Sequence, residues 1–518
     1  METAPKMWER LISKRRRYIE RAIDGSSLTI PHIAPPMWTD SFNNDQDLIN
    51  PWQSVGSAGV KNIASKFMLT LFPPNLPFFK LTFNDIKLAE ASPADRAEAD
   101  ASLVQIENLV QNEIETMGFS PKAHTALVHL AITGNAILQV PNDGPVRFWP
   151  LSSYVAERDI DDNLLTLVFR QEVSIVNLPI DLQEKAFESV GDPDGKERNK
   201  EISLYTVLKR TGPDKYETYQ ELGKQGNIVP DSEGTFTEDD MPYIVLRWTH
   251  DPGSAYGRSL VEELMGDLRS LENLSESIVQ GAAMAAHHNW LLKPGGSTRM
   301  RDLLNAPNGA IIAGDIADIS PLQMNKGSDY ALAGTQAAVL AQRLGASFLK
   351  TEVRQAERVT AEEIRALTQE LQENLGGVFA IQSSEFQLPL VKRVMARMKK
   401  QGKLPDLPKD LIEPKIVTGI QGLGRGQEFN RLLVALQSIT TVVGPAAIPD
   451  FFDQREVILS ILNGSGVTAD DLVLTQEEIG QIQQAKASQQ LVANLGPDVV
   501  KGLSKNNPEG FQGEQPPQ

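Results

Sequence analysis

Two stretches of helical apolar periodicity, separated by a segment that cannot be helix, constrain this chain more than anything else in it. The first runs from Tyr256 to about Leu291, where Leu260, Leu264, Leu268, Leu271, Leu274 and Ile278 recur at steps of three and four and share one stripe. Its other face carries Glu262, Glu263, Asp267, Arg269, Glu272 and Glu276. An isolated copy therefore has a long apolar seam that needs another helix, and a lone monomer supplies few. The second stretch opens at Thr360, which with Glu363 makes a capping box, and continues through Ile364, Leu367, Leu371, Leu375, Val378 and Ile381 to Lys400. Between the two, Pro294-Gly295-Gly296, Pro307-Asn308-Gly309 and Gly314-Asp315 break any helix. The apolar run Gly309 to Ala313 is expected to pair there as a short strand.

The regions around this core follow from punctuation. Residues 7–23 read as a helix with Trp8, Leu11, Ile12 and Ile19 on one side and the basic run Lys14-Arg15-Arg16-Arg17 beside them. That run reads first as a solvated helix face, with a nucleic-acid or partner contact as the alternative. Pro51 to Pro74 is a second helix stopped by its prolines, and Gly56, Ala58, Gly59 and Ala64 let a neighbour approach its backbone. Ser92-Pro93 opens a third helix that runs to Gly118, and a fourth spans Pro121 to about Thr133. From Ala136 to Leu246 the texture is strand and turn, a mainly antiparallel sheet packed on the earlier helices. The fold class is thus α+β. Beyond residue 400, a loop with Pro405, Pro408 and Pro414 leads to a short helix pair through residue 463. The tail from Thr475 opens with a capping box (Thr475, Glu478) and ends in a Pro- and Gln-rich segment of disordered composition. No repeat of 20 to 50 residues is visible.

Composition narrows the chemistry. At 518 residues the chain holds two to four folding units. It has no apolar run of the ~18 to 20 residues a membrane span needs and no secretory signal at its start, so a soluble intracellular product is expected. There is no cysteine, which removes disulfides, thiolate metal sites and a cysteine nucleophile. A net charge of −17 argues against a surface that grips nucleic acid throughout, though not against a wall along which it slides.

Motifs for catalysis are missing. No G-x-x-x-x-G-K-[ST] loop occurs. The run Gly422 to Gly426 lacks dinucleotide spacing and a preceding strand; it reads as a helix-entry turn, with an interface contact through Arg425 as the alternative. His32, His124, His129, His250, His287 and His288 have no carboxylate at ligand spacing, so neither a metal nor another cofactor is expected. His287 and His288 suit the C-terminal end of the first long helix. The acidic pairs Asp161-Asp162, Asp239-Asp240 and Asp470-Asp471 fall in turns and are not read as catalytic dyads. G-x-S-x-G is absent too, and the chain is read as not an enzyme. Lys350, Arg354 and Arg358 recur every four residues, a spacing that can present three cations on one side. Glu352 and Glu357 interrupt them, so surface solvation and contact with phosphates both stay open.

Helix, insert, helix, cationic loop and long helix in that order resemble the head-to-tail connector, or portal, proteins of short-tailed bacteriophages of the podovirus type. The resemblance rests on Pro51 to Pro73 (PWQSVGSAGVKNIASKFMLTLFP), Leu151 to Asp159 (LSSYVAERD) and Tyr256 to Val279 (YGRSLVEELMGDLRSLENLSESIV). Glu357 to Phe379 (ERVTAEEIRALTQELQENLGGVF), Leu388 to Val391 (LPLV) and Glu413 to Gln427 (EPKIVTGIQGLGRGQ) extend it in the same order. It implies a wing at 1–255, a first stem helix at 256–289, a clip at 290–329 and a second stem helix at 330–349. A channel loop at 350–360, a long wing helix at 361–409, a crown at 410–474 and a partly disordered tail at 475–518 complete the implied order. It implies a dodecameric ring of self-copies at one capsid vertex, a double-stranded DNA channel, and contacts with large terminase, major capsid protein, scaffold, tail adaptor and internal core proteins. The location implied is the virion, after assembly in the host cytoplasm, with no membrane. Lys350, Arg354 and Arg358 would meet the DNA, and Lys293, Arg299 and Arg301 would meet terminase or adaptor. The competing expectations are an acidic cytosolic α+β enzyme without metal or thiol, and a non-viral helical scaffold.

Overall fold

The computed structural model describes residues 2–36, 48, 50–73, 77–83, 93–189, 200–286, 290–321, 327–350, 361–404 and 412–416. The chain divides into two units, Met1–Gly422 and Leu423–Gln518, and every described residue belongs to the first. The expected turn at Gly422 to Gly426, the helix pair beyond it and the tail from Thr475 lie outside the described residues. So do Thr360, His287, His288, Arg354 and Arg358.

Helices α1 (Ala4–Ser27) and α2 (Val55–Leu71), strand β1 (Phe79–Phe83), and helices α3 (Pro93–Thr116) and α4 (Phe119–Thr133) come first. Pro5 stands in the first turn of α1, where a missing amide costs nothing, and the Ala4 amide donates to Glu221 Oε2 at 2.7 Å. Helix α4 stops at Gly134, whose φ is +73°. A Cβ there would also lie 2.6 Å from the backbone of Arg258, so conformation and space both demand glycine.

The β region comprises β2 (Asn135–Gln139), β3 (Arg147–Trp149), β4 (Tyr154–Arg158), β5 (Leu164–Ser174), β6 (Glu201–Gly212), β7 (Lys215–Leu222), β8 (Asn227–Ile228), β9 (Gly234–Phe236) and β10 (Tyr243–Arg247), with helix α5 (Ile180–Ser189) after β5. It makes two antiparallel sheets where one was expected: β10-β2-β3, and β4-β5-β6-β7-β8 with β9 also on β7. Helix α5 was not anticipated. Its buried face is essentially Leu182 and Ala186, too short a helical signal to stand out between strands. Strand alternation lets β5 serve two cores. Phe169 faces Trp149 and stacks on Tyr243 at 4.6 Å, whereas Val168 faces α1 with Trp8, Leu11 and Tyr205.

The chain continues through α6 (Leu260–Glu263), α7 (Met265–Ala286), β11 (Trp290–Leu292), α8 (Met300–Leu304), β12 (Ile319–Pro321), α9 (Gly327–Ser347), α10 (Ala361–Gln382), α11 (Leu388–Lys400) and β13 (Ile412–Ile416). The helix expected from Tyr256 begins at Leu260 and breaks at Leu264; Tyr256 is instead a buried anchor whose hydroxyl accepts from the Ala156 amide. Gly309 to Ala313 is not a strand: β11 pairs with β12, no described strand pairs with this run, and Ile311 stands fully exposed. The long helix to Lys400 is interrupted at Leu375 and by a π-turn at Ser383–Gln387. Pro414 belongs not to a loop but to β13, opposite Leu81 of β1.

The largest core gathers α2, α4, β2, β10, the base of α7, the end of α9, α10 and α11 around Phe67, Trp248, Phe348, Phe379 and Phe386. Burying each such side chain contributes about 1.5–3 kcal/mol. Polar anchors fix the π-turn on this core. Glu385 accepts from the Nε of buried Arg247 at 3.1 Å, and Arg247 reaches Asp162 at 3.0 Å. Gln382 donates to the Arg247 carbonyl at 2.7 Å. The acidic pairs in described turns thus serve as counter-ions: Asp162 for Arg247, and Asp240 for buried Arg393.

Candidate functional site

The α7–α9 hairpin and the insert at its far end leave the body from a rigid root. Asn135 and Gly257 exchange bonds, Nδ2 to the Gly257 carbonyl at 3.0 Å and the Gly257 amide to Oδ1 at 2.8 Å. A Cβ on Gly257 would meet the Thr249 carbonyl at 2.6 Å. Ser259 caps α6 by accepting from the Glu262 amide at 3.0 Å, a bond worth about 1 kcal/mol.

Near the root the two helices are sealed. Leu268, Leu271, Leu344 and Phe348 are buried, and Arg343 reaches both oxygens of Asp267 at 2.8 Å. Further out, Gly281 faces Tyr330 so closely that a Cβ would come 2.3 Å from the ring, which draws the helices together. The outer faces are different. Val279, Met284, Leu332 and Val339 are between 47% and 64% exposed. The seam expected from the sequence is therefore covered by α9 near its base, where Leu268 and Leu271 are buried, while Leu264, Leu274 and Ile278 stay half-buried; Leu260 is buried in α6, which packs on α4 and α1.

The insert is held by hydrogen bonds more than by a core. The Asp318 carboxylate accepts from Ser297 Oγ at 3.1 Å and from the Thr298 amide and hydroxyl at 3.2 and 3.3 Å. Thr298 Oγ in turn accepts from the Asp315 amide at 2.9 Å. The bond from the Thr298 amide leads in holding the Asp318 carboxyl below its ordinary range. Gly296 and Gly314 leave space for these groups, since a Cβ at either would lie 2.4 Å from Asp318 or Thr298. Around this knot Lys293, Arg299 and Arg301 are exposed, beside exposed Leu291, Met300, Leu304, Ile311 and Ile316. The three cations expected to meet partners thus sit on one short insert among apolar side chains. Nothing in the sequence marked Asp318 as its hub, although two flanking glycines within helix-breaking turns were visible.

Of the other cations singled out, Lys350 is described and exposed. The basic run of α1 is largely engaged within the protein. Arg15 is buried, donating to the carbonyls of Leu151, Ser152 and Tyr154 and lying over the Trp8 ring at 4.9 Å. Lys14 pairs with Glu157 and Arg16 with Glu20. No described helix is long and apolar enough to cross a membrane, and among the described residues no group of His, Asp and Glu could hold a metal ion.

A hairpin with half-exposed apolar outer faces, ending in an insert that exposes three cations among apolar side chains, is the geometry of an assembly component. Residues 1–473 match the model of the bacteriophage head to tail connecting protein family, and the chain belongs to that family. The portal protein of Enterobacteria phage T3 is 34% identical over 521 residues, covering 98% of this chain and 95% of its own. The portal protein of Escherichia phage T7 is 34% identical over 511 residues, covering 97% and 94%. The neck of an empty GTA particle, solved with C6 symmetry, is 12% identical, covers 80% of this chain and 90% of its own, and superposes with a TM-score of 0.35, too loose a match to fix any element. Family membership makes the chain a structural protein of the phage particle, at the junction of head and tail.

Proposed function

We propose that the chain assembles as a dodecameric portal ring at one capsid vertex, through which terminase packages double-stranded DNA and the genome later leaves. Residues 1–255 and the α10–α11 helix form the wing, α7 and α9 the stem, the insert at 290–329 the clip, and 410–474 the crown. The observation that carries this reading is the hairpin: among the described residues nothing covers its outer apolar faces, and lateral copies would supply that cover. The acidic balance of −17 multiplies around such a ring and gives DNA a wall that repels phosphate, while a few cations make transient contacts. Lys350, Arg354 and Arg358 are those cations. In the clip, Lys293, Arg299 and Arg301 present positive charge to terminase during packaging and to the tail adaptor afterwards. Major capsid protein, scaffold and internal core proteins are the other partners of the assembled ring.

Charge reversal of Arg354 and Arg358 tests the channel assignment. The rings should form normally and lose packaging or retention of DNA. Rings that package and retain DNA like the parent would refute it.

A further inference from the structure

One stripe of α2 touches the chain on both sides of residues 351–360. Gly59 lets the buried Phe348 ring lie against the helix backbone, since a Cβ there would come 2.4 Å from that ring. One turn on, Asn62 Nδ2 donates to the carbonyls of Phe348 and Leu349 at 2.9 and 3.0 Å. These acceptors stand at the C-terminal end of α9, where helix carbonyls run out of intrahelical donors. Leu349 has a φ of +51°, an unfavourable conformation for a residue with a side chain, and the Lys350 amide closes back on the Gly345 carbonyl at 2.8 Å. Another turn on, buried Lys66 pairs with Glu370 of α10 at 2.8 Å. Positions 59, 62 and 66 are three and four apart, hence on one face.

Glu370 lies on the N-terminal side of Leu375, whose φ of −132° and ψ of 33° break the helical backbone. Gly376 and Gly377 follow, and a Cβ at either would meet nothing within 4 Å. Packing does not require these glycines; what they supply is backbone freedom. The start of α10 therefore joins the rest of its helix through a compliant link, and Lys66 ties it to α2 alongside the packing of Leu371.

We propose that Gly59, Asn62 and Lys66 are positioning residues, a clamp that holds the end of α9 and the first half of α10 against α2 on either side of residues 351–360. The clamp stands on the contacts of α2; its effect on DNA rests on the channel reading above. Hydrogen exchange on rings of the full chain tests it. Asn62→Ala and Lys66→Met should speed exchange of amides 348–350 and of the first turns of α10 about fivefold, with β5 and β6 unchanged. Lys66→Arg, which keeps the ion pair, should exchange like the parent. DNA retention should fall in the two loosened variants and hold in Lys66→Arg. Unchanged exchange in both Asn62→Ala and Lys66→Met overturns the clamp. Faster exchange with normal retention upholds the clamp and contradicts the channel reading instead. Should Asn62→Ala fail to form rings, Lys66→Met against Lys66→Arg decides the matter alone.

Discussion

In the body, Phe169 stacks on Tyr243, Val168 packs on α1, and the buried guanidiniums of Arg247 and Arg393 each find a carboxylate. On the α7–α9 hairpin, Val279, Met284, Leu332 and Val339 stand about half exposed beyond a root that is as well sealed as the body itself. The body holds most of the buried core and pairs its buried guanidiniums within one chain, so one chain suffices to fold it, although Trp52, Leu109, Ile160, Ile180 and Ile228 on it stay about half exposed or more. The hairpin closes only its inner seam. Folding of the body and completion of the hairpin are therefore separable, and substitutions in the two regions should fail in different ways.

The largest effect on the unassembled chain is expected at Arg247. Its replacement by Ala leaves Glu385 and Asp162 facing each other without their counter-ion, a loss of about 3–5 kcal/mol, measured by denaturant unfolding of the monomer. Acidification comes next. Burial, with a smaller contribution from His32, pushes the His129 imidazole down to about 3, whereas the unfolded ring titrates near 6.5. Between those values the unfolded state binds more protons, so stability falls as pH falls. At pH 5 the cost is about 2 kcal/mol relative to pH 8, and His129→Gln should flatten that slope. The pair Lys14–Glu157 is smaller still, because the lysine is largely exposed; Lys14→Ala should cost under about 1 kcal/mol. Leu332→Asp with Val339→Asp should change monomer stability least, within about 0.5 kcal/mol, and yet abolish ring formation. A monomer destabilised by that double substitution would erase the contrast between body and hairpin.

Much of the body was legible because its punctuation is local. Pro73 and Gly134 mark helix ends by backbone chemistry that needs no tertiary partner, and strand-like runs between turn residues marked the β region. What stayed hidden depends on residues distant in sequence. The β1–β13 pairing sets Leu81 opposite Pro414, and nothing near either announces the other. Arg247, Glu385 and Asp162 look like ordinary surface charges until the fold buries the guanidinium, and Asn62 looks like a neutral helix position until α9 ends against it. In the candidate site, the apolar seam was readable from helical spacing, whereas the cations of the insert were singled out only by the place the family resemblance gives them. The Asp318 knot was not readable, because its three donated bonds come from a turn some twenty residues earlier. Gly309 to Ala313 shows the converse error: strand-like composition without a partner strand remains an exposed loop.

Copies of this chain, packed side by side, are what would complete the hairpin. Electron microscopy of the purified full-length protein tests this most directly. The expected result is a twelve-fold ring with a central channel, in which neighbouring hairpins bury Leu332 and Val339 against one another. A monomer or compact dimer with those faces still exposed to water would contradict it.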